Sequence, residues 1–151
     1  MSDKPVFFDT NTLVYANDTG APEKRSRSRK LIREAIISGT GSISAQVLAE
    51  FWVTVTRELK TPLALETARE QIVMFSAFRV HAVDQPTVLE AIRLQERYQL
   101  SYWDAQIVAS ARFAKARLLY SEDLQHGAEY EGVSVQNPFR KQDEGPPATS
   151  S

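Results

Sequence analysis

With 151 residues, 42% of them hydrophobic and 25% charged, the chain suits one globular domain large enough to bury a sizeable core. A formal net charge of −1 excludes a polycation, so nucleic-acid binding would have to rest on a local basic patch or on bound cations. The absence of cysteine excludes a disulfide scaffold, thiol catalysis and thiolate metal sites, which leaves oxygen and imidazole as the available metal ligands.

The N-terminus, Met1-Ser2-Asp3-Lys4-Pro5, has neither a basic n-region nor an apolar h-region, and no later apolar run reaches membrane-spanning length. A cytoplasmic protein without a membrane partner is expected. Val6-Phe7-Phe8 predicts a strand buried on both faces, as in a parallel sheet flanked by helices, and it ends abruptly in Asp9-Thr10-Asn11. In such sheets ligands bind beyond the carboxyl ends of the strands, where Asp9 would sit. A short helix follows over Asn11 to Ala16, then a turn at Asn17-Asp18-Thr19-Gly20. Pro22 opens a helix to Ser38 with an apolar stripe of Leu31, Ile32, Ala35 and Ile36, and Gly39 stops it.

Gly41-Ser42-Ile43 reads as a short second strand. Ser44 caps a helix with the stripe Val47, Leu48, Phe51, Trp52 and Val55, ending near Lys60-Thr61-Pro62, and another helix runs from about Ala64 to Phe75. Phe78 to Val83 reads as a third strand, and Pro86 opens a helix to about Tyr98. The next helix begins at Ser101 and continues through Ile107, Val108, Ala111 and Phe113 to about Ala116. Leu118-Leu119-Tyr120 is a fourth strand and Val133-Ser134-Val135 a fifth. Beyond Phe139, Pro, Gly, Ser and charge predict a disordered tail over 140–151, so the folded domain is 1–139. Strands alternating with helices predict a three-layer α/β/α domain around a mostly parallel sheet of about five strands.

Four acids stand out against this plan. Asp9 is placed either to cap the short helix or to bind a ligand. Glu50 lies on the flank of an apolar stripe, where a solvated carboxylate is the ordinary alternative. Asp104 falls in line with Ile107, Val108 and Ala111, on the stripe expected to face the sheet, and a charge there needs a partner; Ser101 and Asp104 also form a capping box. Asp123 follows the fourth strand as Asp9 follows the first, with Ser121 and Glu122 between. If two strand ends and two helix starts converge on one sheet edge, four carboxylates repel one another, and a cation is the usual remedy. Oxygen ligands select Mg²⁺ or Mn²⁺.

At these residues the chain resembles the PIN-domain family, and more closely the VapC-type toxin ribonucleases of type II toxin–antitoxin pairs, over about Val6 to Phe139. The motifs stand as Phe8-Asp9-Thr10-Asn11, as Ser44 to Glu50, as Trp103-Asp104-Ala105-Gln106-Ile107-Val108-Ala109, and as Ser121-Glu122-Asp123-Leu124-Gln125. Ser121 departs from the commoner Thr but keeps the hydroxyl, and Glu122 is an extra acid, without an assignable role, that could simply face solvent. The resemblance implies a metal-dependent endoribonuclease leaving 5′-phosphate and 3′-hydroxyl ends. It makes Asp9, Glu50, Asp104 and Asp123 direct or water-mediated ligands of Mg²⁺ or Mn²⁺, with Thr10, Asn11 and Ser121 supporting them. It also implies an RNA substrate, a cognate protein antitoxin and a homodimer.

Lys24, Arg25, Arg27, Arg29, Lys30 and Arg33 form an acid-free basic segment, read either as an ordinary solvated helix face or as a phosphate-contacting rim for RNA. Tyr15, Tyr102 and Trp103 are candidates for base stacking or for the core. His81 and His126 are too separated for a paired-histidine nuclease, though His126 is close enough to the last motif to line a cleft. Two competing readings are a catalytically silent PIN-like binding module and a Mg²⁺-dependent phosphatase of small phosphoesters. The second lacks the further aspartate two residues after Asp9 that haloacid-dehalogenase chemistry uses, since Asn11 stands there.

Overall fold

Val6, Phe7 and Phe8 are buried on both faces, and the strand they form, β1 (Val6–Phe8), lies inside the sheet with parallel neighbours on both sides. The computed structural model describes residues 4–141. Nearly all of the expected C-terminal tail, from residue 142 on, lies outside them. The other strands are β2 (Gly41–Ser44), β3 (Arg79–His81), β4 (Leu118–Tyr120), β5 (Glu129–Tyr130) and β6 (Val133–Gln136), in spatial order β3-β2-β1-β4-β6-β5. All neighbours are parallel except β5 with β6. The sheet thus has six strands, one more than the sequence suggests. The extra strand is two residues long, too short for alternation to register, and exists only through its pairing with β6.

The helices are α1 (Thr10–Val14), α2 (Pro22–Ser38), α3 (Ala45–Val53), α4 (Leu65–Met74), α5 (Gln85–Tyr98) and α6 (Tyr102–Phe113), completing a three-layer α/β/α architecture. α2 ends where expected, because Gly39 takes a left-handed φ of 71° that closes the last turn. Gly41 answers a different demand. A Cβ there would lie 2.4 Å from the Phe78 ring, so β2 passes under Phe78 only without a side chain. α3 does not run on as one α-helix to Lys60; after Val53 it widens into a π-helical turn over Thr54–Glu58. α6 is buried from Ala105 to Ala111 on every side, which its run of small residues permits.

The connection order fixes where a site can form. From β1 the chain steps to β2 and β3 on one side, then crosses to β4 and β6 on the other. The order therefore reverses between β1 and β4, and a crevice opens beyond their carboxyl ends. The Asp9 backbone N–H donates to the Tyr120 carbonyl at 3.0 Å and the Thr12 hydroxyl donates to the same carbonyl at 3.3 Å, tying the two strand ends.

Candidate metal centre

Asp9 leaves β1 directly into this crevice and is 7% exposed. One carboxylate oxygen, Oδ1, accepts from the Thr10 N–H at 2.7 Å, so Asp9 also serves as the N-cap of α1. The other, Oδ2, accepts from the Ser121 hydroxyl at 2.8 Å. Ser121 is fully buried, and its Oγ in turn accepts from the N–H groups of Asp123 and Leu124, each at 3.2 Å. A hydroxyl offers one donor and two acceptor lone pairs, and all are used. That explains why a hydroxyl residue stands there: an apolar one would strand a buried carboxylate oxygen and two loop N–H groups, at about 1–3 kcal/mol for each group left unpaired.

Glu50 comes from α3, where the Thr10 hydroxyl donates to its Oε1 at 2.7 Å and the Gln46 amide to its Oε2 at 3.2 Å. Asn11 donates to Asp123 Oδ2 at 3.4 Å. Thr10, Asn11 and Ser121 therefore each bond one of the acids. Asp104 sits in the first turn of α6, half-buried rather than turned fully into the stripe, with its N–H capped by the Ser101 hydroxyl at 3.1 Å. Its charge is felt across the crevice by both Asp9 and Asp123.

The electrostatics follow from burial and crowding. Burial pushes the Asp9 carboxyl up to about 6; the negative charges of Asp123 and Asp104 add to this, against the opposing bonds from Ser121 and Thr10. Asp123 is likewise held above the ordinary carboxylate range, by burial first and then by Asp104 and Glu122, with Asn11 pulling it down. Among the described residues no ion pair reaches Asp9, Glu50, Asp104 or Asp123.

A concavity of about 480 Å³ opens over three of the four acids, lined by Asp9, Asn11, Glu50, Glu58 and Asp123 among others, and Asp104 does not line it. Among the described residues no three Asp, Glu or His side chains converge closely enough to hold an ion as they stand. The donor set nevertheless fits a small hard cation: all its ligands are oxygens and none is neutralised by a basic side chain. Mg²⁺ characteristically takes only one or two carboxylates and keeps several waters, which the open crevice allows.

Several features escape sequence reasoning. Gln46, Thr54 and Glu58 line the concavity with Glu50 because they sit at four-residue steps along α3 and its π-helical extension, a spacing that could have found them. Glu122 is only partly open to solvent: it is ion-paired with Lys24 of α2 and accepts from the Tyr15 hydroxyl at 2.8 Å. His126 accepts from the Asn137 N–H at 3.0 Å and is absent from the lining of the concavity, while His81 meets the Thr87 hydroxyl at 2.8 Å. Trp103 is 61% exposed, with Tyr102 edge-on against it at 5.1 Å, and Tyr15 packs on Phe139 at 4.9 Å. The basic segment is divided around α2: Arg27 donates to the Pro138 carbonyl at 3.1 Å and Arg29 to that of Ala16 at 2.8 Å, while Lys30 and Arg33 face outward.

Fold and site together define an α/β protein whose switch-point crevice is lined by unpaired acids. The chain belongs to the PIN domain family, whose model matches residues 6–128. No curated protein matches it. Among solved structures it is similar to VapC20 of Mycobacterium tuberculosis, a Sarcin-Ricin loop cleaving toxin, at 21% identity, 78% coverage of this chain, 89% of that chain and a TM-score of 0.62. It is also similar to a toxin–antitoxin complex from Klebsiella pneumoniae (18% identity, 90% and 99% coverage, TM-score 0.64). A third is FitAB bound to an IR36 DNA fragment (18%, 90% and 96%, TM-score 0.67). The fold is thus that of VapC-type PIN toxins, and family and fold together support a nuclease.

Proposed function

We propose that this chain is a divalent-metal-dependent endoribonuclease, the toxin of a toxin–antitoxin pair, which hydrolyses RNA phosphodiesters to 5′-phosphate and 3′-hydroxyl ends. The observation that supports this reading is the set of four acids, unpaired by any base among the described residues, near the β1/β4 switch point, with the carboxylates of Asp9, Glu50 and Asp123 each bonded by a short polar neighbour and Asp104 placed in the first turn of α6. Asp9, Glu50, Asp104 and Asp123 would hold Mg²⁺ or Mn²⁺, directly or through water. When bound, the ion supplies charge neutralisation of the phosphate and a water of lowered pKa.

The chain's own residues do the rest. Ser121 and Thr10 N–H fix the orientation of Asp9, and Thr10 and Gln46 fix that of Glu50, so the acids keep their geometry before substrate arrives. Arg25, Arg29 and Arg33, spaced four apart on α2, with Lys30 beside them, form the candidate rim for RNA phosphates, whereas Lys24 is engaged by Glu122. A protein antitoxin and a second copy of the chain are the expected partners; structural relatives include toxin–antitoxin complexes. Cleavage of structured RNA in Mg²⁺, in Mn²⁺ and in EDTA, with end-group analysis of the products, tests the reading. Asp9→Asn and Asp104→Asn should each reduce the rate by at least about a hundredfold, as expected on loss of groups that act on the reacting centre. Full activity from a well-folded Asp104→Asn protein would refute it.

A further inference from the structure

Glu122 separates Ser121, which holds Asp9, from Asp123, and the two neighbouring acids are treated in opposite ways. Asp123, itself exposed, lines the concavity and has a single long side-chain bond, 3.4 Å from Asn11. Glu122 is seized from outside. Lys24 of α2 is ion-paired with it, Tyr15 donates to it at 2.8 Å, and Lys24 also donates to the Tyr15 hydroxyl at 3.3 Å. The Lys24 ammonium lies 4.6 Å from the Tyr15 ring centre and 5.5 Å from that of Phe139, while Tyr15 and Phe139 meet edge-to-face at 4.9 Å. Arg27 secures the same stretch by donating to the Pro138 carbonyl at 3.1 Å.

Two separate parts of the chain therefore close on one side chain of the loop after β4, the turn after α1 and the first turn of α2, and Phe139 packs behind both. The Lys24 and Glu122 side chains are 37% and 25% exposed, and ion pairs so open to water add little to stability. What the arrangement does supply is position. With Glu122 held from both sides, the bend over residues 122–124 that carries Asp123 is fixed in place, while the Asp123 carboxylate itself has only the long bond from Asn11.

We propose that Glu122 is a positioning residue for Asp123, held by a clasp of Lys24 and Tyr15, and that Lys24 acts through this clasp rather than as an RNA contact. The proposal rests on the metal-dependent reading above. Its test uses the full chain with Lys24→Met, Lys24→Arg, Glu122→Gln and the double variant Lys24→Met/Glu122→Gln. Each is melted in EDTA and then across a Mn²⁺ titration, and RNA binding is followed against salt.

Melting temperatures in EDTA should stay close to wild type. The Mn²⁺ concentration giving half of the thermal stabilisation should rise about tenfold for Lys24→Met and for Glu122→Gln, the low end for groups that orient a metal ligand. The double variant should be no worse than either single one, since both break the same contact, and Lys24→Arg should restore most of the response. A wild-type Mn²⁺ response in every variant would overturn the positioning role alone. So would a weaker, less salt-dependent RNA binding by Lys24→Met with its Mn²⁺ response intact. A wild type without any Mn²⁺ shift would overturn the metal-dependent reading, and the clasp's role with it.

Discussion

Asp9 has two readings in the sequence, helix cap and crevice ligand, and its place in the structure leaves room for both. It caps α1 through one oxygen and faces the crevice through its position at the end of β1. The cost of placing it there appears in its proton affinity. In the ion-free protein its carboxyl lies at about 6 against an ordinary 3.8, so the folded state holds this proton more tightly than the unfolded chain. A raised carboxyl favours folding below the unfolded value, and that contribution is lost as pH rises through the folded one. Stability in EDTA should therefore fall between about pH 4 and pH 6, by up to about 3 kcal/mol at 1.36 kcal/mol per pH unit. Asp9→Asn should flatten that window in urea titrations; an unchanged slope would assign it to other groups. At this scale the sequence shows the acids and their hydroxyl neighbours well, because each motif is contiguous. It hides the bond of Ser121 to Asp9, which joins residues 112 positions apart.

Elements defined by their own composition are the readable ones. β4 spans the expected Leu118–Tyr120, and α2 runs from Pro22 to Ser38 between its proline and its glycine. Elements defined by a partner are not. β5 exists because Glu131 and Gly132 both adopt positive φ, 52° and 99°, the geometry of a tight hairpin turn that returns the chain along β6. The same turn presents Glu131 to Arg93 at 2.7 Å and Arg97 at 2.8 Å, with Arg112 at 3.7 Å, clamping β5 to α5 and α6. These guanidinium groups, Arg93 foremost, hold the Glu131 carboxyl at about 2, below its ordinary 4.5. A depressed carboxyl stabilises above its unfolded value, and that contribution disappears as pH falls through the folded one. Glu131→Gln should lower the melting temperature at neutral pH and low salt, with the deficit shrinking in high salt and closing towards about pH 2. A deficit indifferent to both would mean that the hairpin, not the charge, needs Glu131.

Over the whole molecule a net charge of −1 coexists with a basic stripe on α2, and the start of that helix lies beside the loop after β4 that carries Asp123. Replacing Arg25, Arg29 and Arg33 with Gln should weaken RNA binding and flatten its logarithmic salt dependence by about 2, given roughly 0.7 per phosphate contact on a single strand. An unaltered slope would return the stripe to an ordinary solvated face. The parallel α/β plan and its acid-bearing edge are legible from run lengths and strand-end residues. The order of the strands is not, because pairing β1 with both β2 and β4 is decided by contacts across most of the chain.

That long-range pairing has a consequence in time. The crevice exists only where β4 lies against β1, and contacts between such distant positions form late, after the intervening loop has been closed. A chain emerging from the ribosome presents Asp9 112 residues before Ser121. Synthesis thus keeps the acids apart, and the crevice is completed only after both strand ends have been made.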